Sequence, residues 1–280
     1  PSVPPAILSE VEGVAGLDDR PAVSFAEPSG FTSASVPRSG LTPKDLAAAY
    51  DIGPLYDAGI EGSGQYIAIL SFDTYLPSDI ETFERELGIV DAPPIERIAV
   101  GEPLDEPGSG SGEVTLDIDV IRSVAPKAQI LNFEAPNDGS VGFAEMVDAI
   151  VEDGRARIIS VSWGLCDAAG RLSQVSRLRG ERSFQAMAAA GISLFAASGD
   201  WGAYSCSVRD PSDHRVTVFW PSSSPYVVSV GGTFLSVRED GSYLDEAGWE
   251  DYLTTGGTGG GLNPVDARPD WQRGVGVENS

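Results

Sequence analysis

From residue 42 onward, short apolar runs alternate with segments of helical periodicity, and this alternation constrains the fold more than any other feature of the chain. The runs are YIAILSF (66–72), ERIAV (96–100), AQILNFEA (128–135), RIISVSW (157–163), SLFAAS (193–198) and YVVSVGGTFL (226–235). Between them lie SDIETFERELG (78–88), GEVTLDIDVIRSVA (112–125), FAEMVDAIVED (143–153) and RSFQAMAAAG (182–191). Strands that are apolar on both faces must be covered on both faces, and the intervening amphipathic helices supply that cover. The expected fold is therefore α/β, with three α/β/α layers around a central parallel sheet. Residues 1–41 have a different texture, rich in Pro, Ser, Ala and Gly, with one short helical stretch in PPAILSEVEGVAGL. In TPKDLAAAYDI a Thr N-cap then precedes a Pro at the first helical position, so a domain is expected to begin near residue 42.

Charge narrows the function classes. The chain carries 18 Lys plus Arg against 42 Asp plus Glu, a formal net charge of −24, yet 41% of its 280 residues are hydrophobic. That apolar content separates it from disordered acidic tails. Its acidic surface repels phosphate backbones and anionic lipid, so neither nucleic acid nor membrane is expected as a partner. No apolar run reaches the roughly 18 residues that span a bilayer, and PSVPPAILSE is unlike a secretory signal. The lack of an initiating Met reads as a processed product or a fragment. The one histidine, His214, sits in the polar, turn-forming stretch RDPSDHRV. A hydrolase built on this chain therefore needs proton carriers other than imidazole. Two cysteines, Cys166 and Cys206, allow one bridge or two buried thiols. The acidic, Lys-poor composition suits a secreted protein, extracellular or in an acidic compartment, where a bridge would persist.

Ligands of open parallel sheets collect at the carboxyl ends of the strands. Three such places carry unusual residues: SGSGE (109–113), SWG (162–164) and ASGDWG (197–202). Glu113 and Asp117 are four residues apart, which puts both carboxylates on one helix face. If buried there, one pKa rises, and such a pair can act as a general base in acid. The same two residues also read as a helix-dipole partner and a solvated acid. Asp200 follows a buried run and Gly199. It is either a turn former or a protonated donor to a developing oxyanion. TTGGTGGG (254–261) has neither the Lys of a phosphate-binding loop nor the GxGxxG spacing, and no GxSxG elbow occurs. Two cysteines and one histidine cannot form a structural zinc site.

Five blocks occur in a telling order: GEVTLDIDVIRSVAPKAQILNFEAP, ISVSWG, LFAASGDWG, WPSSSPYVVSVGGTFL and GGGLNPVDARPDWQ. Together they resemble the sedolisins, the serine-carboxyl peptidases, over residues 42–273. The resemblance implies a subtilisin-like fold and an acid-acting endopeptidase or tripeptidyl peptidase with a polypeptide substrate. Residues 1–23, ending in GLDDRPAV, resemble the tail of the family's propeptide. That implies a zymogen with its own propeptide as a partner and a maturation cut within 24–42. By the same resemblance Glu113 is the general base, Asp117 orients it, and Asp200 completes the oxyanion hole. Trp163 belongs to the hydrogen-bond network behind the acid pair. Ser162 and Gly164 offer backbone groups to an extended substrate strand, and Cys166 with Cys206 forms a disulfide.

One departure is large. The family's nucleophile is a Ser in a GTSxxxP motif, and these 280 residues contain no such motif. The family's Asp- and Gly-rich calcium site is missing too, so calcium is expected only of the complete family domain and no cofactor or metal of this chain. Residues 42–280 therefore read as a C-terminally truncated catalytic domain, inactive alone, behind a propeptide tail and linker at 1–41. The alternative is a non-catalytic relative that binds peptides or regulates a partner. Loss of a nucleophile segment is expected to leave apolar surface and a strand edge bare.

Overall fold

Thr42 opens the folded core as its neighbours predict: the Asp45 carboxylate accepts the Thr42 N–H at 2.7 Å, and the Thr42 hydroxyl accepts the Asp45 N–H at 3.4 Å. This reciprocal cap starts α1 (Pro43–Ala49). The structure, a computed structural model, describes residues 23–24, 41–166, 174–208, 212–251, 256–263 and 265–274. The remaining helices are α2 (Gly53–Asp57), α3 (Pro77–Leu87), α4 (Ser111–Val124), α5 (Phe143–Asp153) and α6 (Gln174–Ala189). The first strands are β1 (Val23–Ser24), β2 (Tyr66–Ser71), β3 (Glu96–Ala99), β4 (Gln129–Glu134), β5 (Ile158–Val161), β6 (Trp163–Cys166) and β7 (Ser193–Ala197). They are followed by β8 (Phe219–Trp220), β9 (Val228–Val230), β10 (Thr233–Val237), β11 (Tyr243–Gly248), β12 (Glu250–Asp251) and β13 (Gly256–Gly257).

Six strands form one parallel sheet in the order β3-β4-β2-β5-β7-β9. Helix α4 packs on α1, α3 and β2, while α5 packs on α6 and β2. In β2 and β4 consecutive residues are fully buried (Ala68, Ile69, Leu70; Ile130, Leu131), so both faces of the sheet centre are covered. This is the α/β architecture expected from the alternating runs.

The differences from the sequence reading cluster where function is expected. RIISVSW is not one strand: β5 ends at Val161, Ser162 interrupts, and β6 leaves the sheet to pair antiparallel with β8 and β1. YVVSVGGTFL also divides, at Gly231–Gly232, and its second part enters the β10–β11 hairpin, which periodicity had merged with the sheet. Helix α6 begins at Gln174 rather than near 182. The helical stretch in PPAILSEVEGVAGL lies outside the described residues, as does most of the segment read as propeptide tail and linker.

The cover stops short at one end. Along β5 and β7, Ile159, Val161, Leu194 and Ala196 are buried, whereas Ile158 and Phe195 on the opposite face are exposed. Ser160, Phe195 and Val228 stand abreast in register across β5, β7 and β9, and Val228 and Val230 of the last strand are exposed as well.

Candidate active site

Helix α4 brings the two expected acids inside. Glu113 and Asp117 are buried together with Val114 and Ile118. Asp117 Oδ1 accepts the Ser162 hydroxyl at 2.7 Å, while its Oδ2 has no partner among the described residues. Burial pushes the Asp117 carboxyl up from the usual 3.8 to about 7, against the opposing pull of the Ser162 hydrogen bond. Ser162 thus has a second role that its sequence did not show. Its hydroxyl ties the break between β5 and β6 to α4. A third acid on the same helix, Asp119, is also raised to about 7, by burial and by Glu84 and Asp79. It lies toward α3, away from the pair.

Trp163 is fully buried, with its ring edge-on to Phe72 at 5.8 Å between centroids. Its indole nitrogen has no acceptor among the described residues. Among the described residues, then, the Trp163 indole makes no hydrogen bond to the acid pair, and its ring packs on Phe72. Only the backbone of Trp163 and Gly164 is in use: Val23–Ser24 pairs with them antiparallel, Val23 with Gly164 and Ser24 with Trp163.

Asp200 stands across the sheet end, in the turn after β7. Burial alone pushes its carboxyl up to about 6, so in acid it is a hydrogen-bond donor. The Gly-rich segment, set aside above for want of a phosphate-binding pattern, is what holds this turn. Gly257 N donates to Asp200 O at 2.7 Å, Gly259 N to Gly199 O at 2.6 Å, and Ser198 Oγ to Gly259 O at 2.9 Å. A Cβ at Gly259 would overlap the Ser198 carbonyl, so close backbone approach demands glycine there. The signal in the sequence was the glycine run itself, which mere spacing rules misfiled. Cys166 and Cys206 are bonded, joining the end of β6 to the turn at Ser205–Val208.

A cleft of about 440 Å³ lies at the ends of β5, β7 and β9, lined by Ser162, Gly199, Asp200 and Gly231 among others. It joins the two halves: Ser162 carries the link to Asp117, and Asp200 faces it from the other side. Among the described residues no group of three or more His, Cys, Asp or Glu could hold a metal ion. None of the described helices is long and apolar enough to cross a membrane.

Residues 98–256 match the sequence profile of the subtilase family. Kumamolisin from Bacillus sp. (strain MN-32) is 32% identical over 99% of this chain and 51% of its own length. Sedolisin from Pseudomonas sp. (strain 101) is 29% identical over 97% of this chain and 49% of its own. Human tripeptidyl-peptidase 1 is 28% identical over 96% of this chain and 47% of its own. The chain thus spans about half the length of the curated relatives it matches. The solved structure of Pseudomonas sedolisin, in complex with two molecules of pseudo-iodotyrostatin, superposes with a TM-score of 0.68 at 27% identity, covering 83% of this chain and 66% of that one.

Proposed function

The chain belongs to the subtilase family, on its sedolisin branch of serine-carboxyl peptidases, and from that premise we propose that residues 42–280 build the acid-handling part of a peptidase site. In this reading Glu113 takes the proton of a serine hydroxyl as the serine oxygen attacks the scissile carbonyl, and later returns it to the leaving amine. Asp117 orients Glu113, as the aspartate of a Ser-His-Asp triad orients its histidine. Asp200, protonated in acid, donates to the oxyanion that forms on the carbonyl oxygen. The observation that carries the reading is the cleft that Ser162 and Asp200 share, with the Ser162 hydroxyl on buried Asp117. The raised carboxyls of Asp117 and Asp200 favour operation in acid. Acid would also neutralise much of the −24 charge, in keeping with a secreted or otherwise acidic setting.

The pairing of Val23–Ser24 with Trp163–Gly164 supports an extended polypeptide as ligand, since a strand of the chain itself already lies along that edge. It also supports the segment before residue 42 acting as a propeptide that occupies the substrate edge. The serine has to come from a segment outside these residues, and the bare row of Ser160, Phe195 and Val228 is where we seat it. Until that face is covered, the chain is inactive.

The test is hydrolysis of a denatured protein at pH 4 by this chain and by its longer reading frame, each with Glu113→Ala and Asp200→Ala variants. Removing an oxyanion donor typically costs about 10²–10³ in rate, and loss of the base is expected to cost at least as much. Turnover by the long form that either substitution leaves intact sinks the reading. Peptide binding at pH 4 with no turnover by either form favours the second reading, a peptide-binding or regulatory relative. The retained β6 edge alone supports that one.

A further inference from the structure

Asp73 follows β2 and has no part in the chemistry above, yet its carboxylate reaches the lead-in to α4 at Gly108 and Gly110. It is buried, and its carboxylate accepts three backbone N–H groups: Thr74 at 2.7 Å and Gly108 at 2.8 Å on Oδ1, and Gly110 at 2.7 Å on Oδ2. Gly110 is the N-cap of α4 and has no side chain with which to cap it. The space around Gly110 is closed on one side by Asp73 and on the other by the Trp163 ring, which any Cβ at this position would overlap. At Gly108 a Cβ would come within 2.7 Å of Asp73 Oδ2. The end of β2, the first turn of α4 and the start of β6 are therefore locked at one point. Glu113 lies three residues beyond it, and Asp117 one further turn along.

We propose that Asp73 is a positioning residue for the acid pair: by holding Gly108 and Gly110, its carboxylate sets where α4 begins and hence where Glu113 and Asp117 stand relative to Ser162. The physical argument is one of lever and pivot. A helix is stiff, its first N–H groups have no partner within it, and an anion at its amino end is favoured by the dipole. A single carboxylate that satisfies the cap and the preceding loop therefore fixes both the register and the tilt of the first turns. A loose first turn would admit water to Asp117 and free the Ser162 hydroxyl.

This inference rests on the peptidase reading for its purpose, but its test needs no turnover, so failure of one is distinguishable from failure of the other. The test is a carbon-detected NMR titration of the Asp117 and Asp200 side-chain carboxyls, with amide exchange at Gly108 and Gly110. It compares the wild-type chain with Asp73→Asn and Gly108→Ala. In Asp73→Asn an amide NH₂ must face an N–H donor. Gly108→Ala presses a methyl on the same contact and keeps the Asp73 charge. In both variants the two glycine amides should exchange at least about tenfold faster. The Asp117 midpoint should fall by about one unit, a tenfold change in proton affinity, while the Asp200 midpoint stays in place. A fall in Asp73→Asn alone would show an effect of charge, not position, and overturn the proposal. So would faster exchange with Asp117 unmoved, an equal shift of Asp200, or no change in either readout. If Asp73→Asn fails to fold, Gly108→Ala decides the matter by the same criteria.

Discussion

The centre of the sheet and its β9 side are made of the same kinds of residue and live in opposite surroundings. In the middle of β2 and β4 the apolar side chains of Ala68, Ile69, Leu70, Ile130 and Leu131 have no exposed surface, and the polar ones among them form a paired network. Ser71 Oγ donates to Phe133 O at 3.1 Å, Asn132 Nδ2 to Glu134 Oε2 at 3.0 Å, and Thr74 Oγ1 to Glu134 Oε2 at 2.8 Å. Arg97 closes it on Glu134 at 2.7 Å. Toward β9 the same residue types lie open: Phe195 is 40% exposed, Val228 48% and Phe234 64%. Val228 is no less apolar than Ile69. What differs is whether anything lies over it, and a strand's own composition can demand a cover without providing one. The candidate site residues divide in the same way. Glu113 and Asp117 stand in the finished half, and Asp200 borders the open one.

The sharpest way to break this contrast is a matched pair of truncations. Phe133→Ala in the covered half should cost about 3–5 kcal/mol, as large-to-small changes of buried aromatics do. Phe234→Ala should fall within about 0.5 kcal/mol. Chemical denaturation of both variants decides it, and equal losses would mean that the exposed half is not open in solution.

Next in size is the pH dependence. Asp117, Asp119 and Asp200 are all raised in the folded chain from the usual 3.8, to about 7, 7 and 6. Between the unfolded and folded values the native state binds more protons than the unfolded chain. The stability these groups allow is therefore complete below about pH 4 and is lost as pH rises through 6 and 7. For fully buried Asp117 the loss is on the order of 2 kcal/mol after allowance for relaxation. Urea midpoints measured from pH 4 to 7.5 should fall, and Asp117→Asn should flatten the curve. A rise in stability over that range would contradict the burial of these carboxyls.

The smallest expected effect is at the open face itself. Val228→Thr and Phe195→Thr should each change stability by less than about 0.5 kcal/mol while raising the concentration at which the protein begins to associate, read by light scattering. A marked destabilisation would show that the row is packed against something after all.

Much of the arrangement was legible in the residues. The alternation of runs called for the parallel sheet, and Thr42 with Pro43 announced the start of α1. Spacing placed Glu113 and Asp117 on one helix face, because a period of 3.6 residues leaves no other choice. What escaped were events that depend on distant partners. Ser162 breaks RIISVSW because its hydroxyl meets Asp117, forty-five residues earlier, and no local pattern records that. The glycines at 257 and 259 fit no phosphate-binding pattern, although each serves a backbone contact to the Asp200 turn. Asp73 drew no notice, since a lone Asp after a strand most often forms a turn.

By itself, then, the sequence determined the class of fold, the helix that carries the acid pair and the scarcity of imidazole. These follow from periodicity, spacing and the single histidine, all properties of neighbours along the chain. Only the tertiary structure decided that Asp117 and Asp200 are held largely neutral in acid, that Trp163 is buried against Phe72, and that Asp73 holds the mouth of α4. Desolvation and hydrogen-bond partnership depend on what packs nearby in space, and the chain brings those neighbours together from positions that share no local pattern.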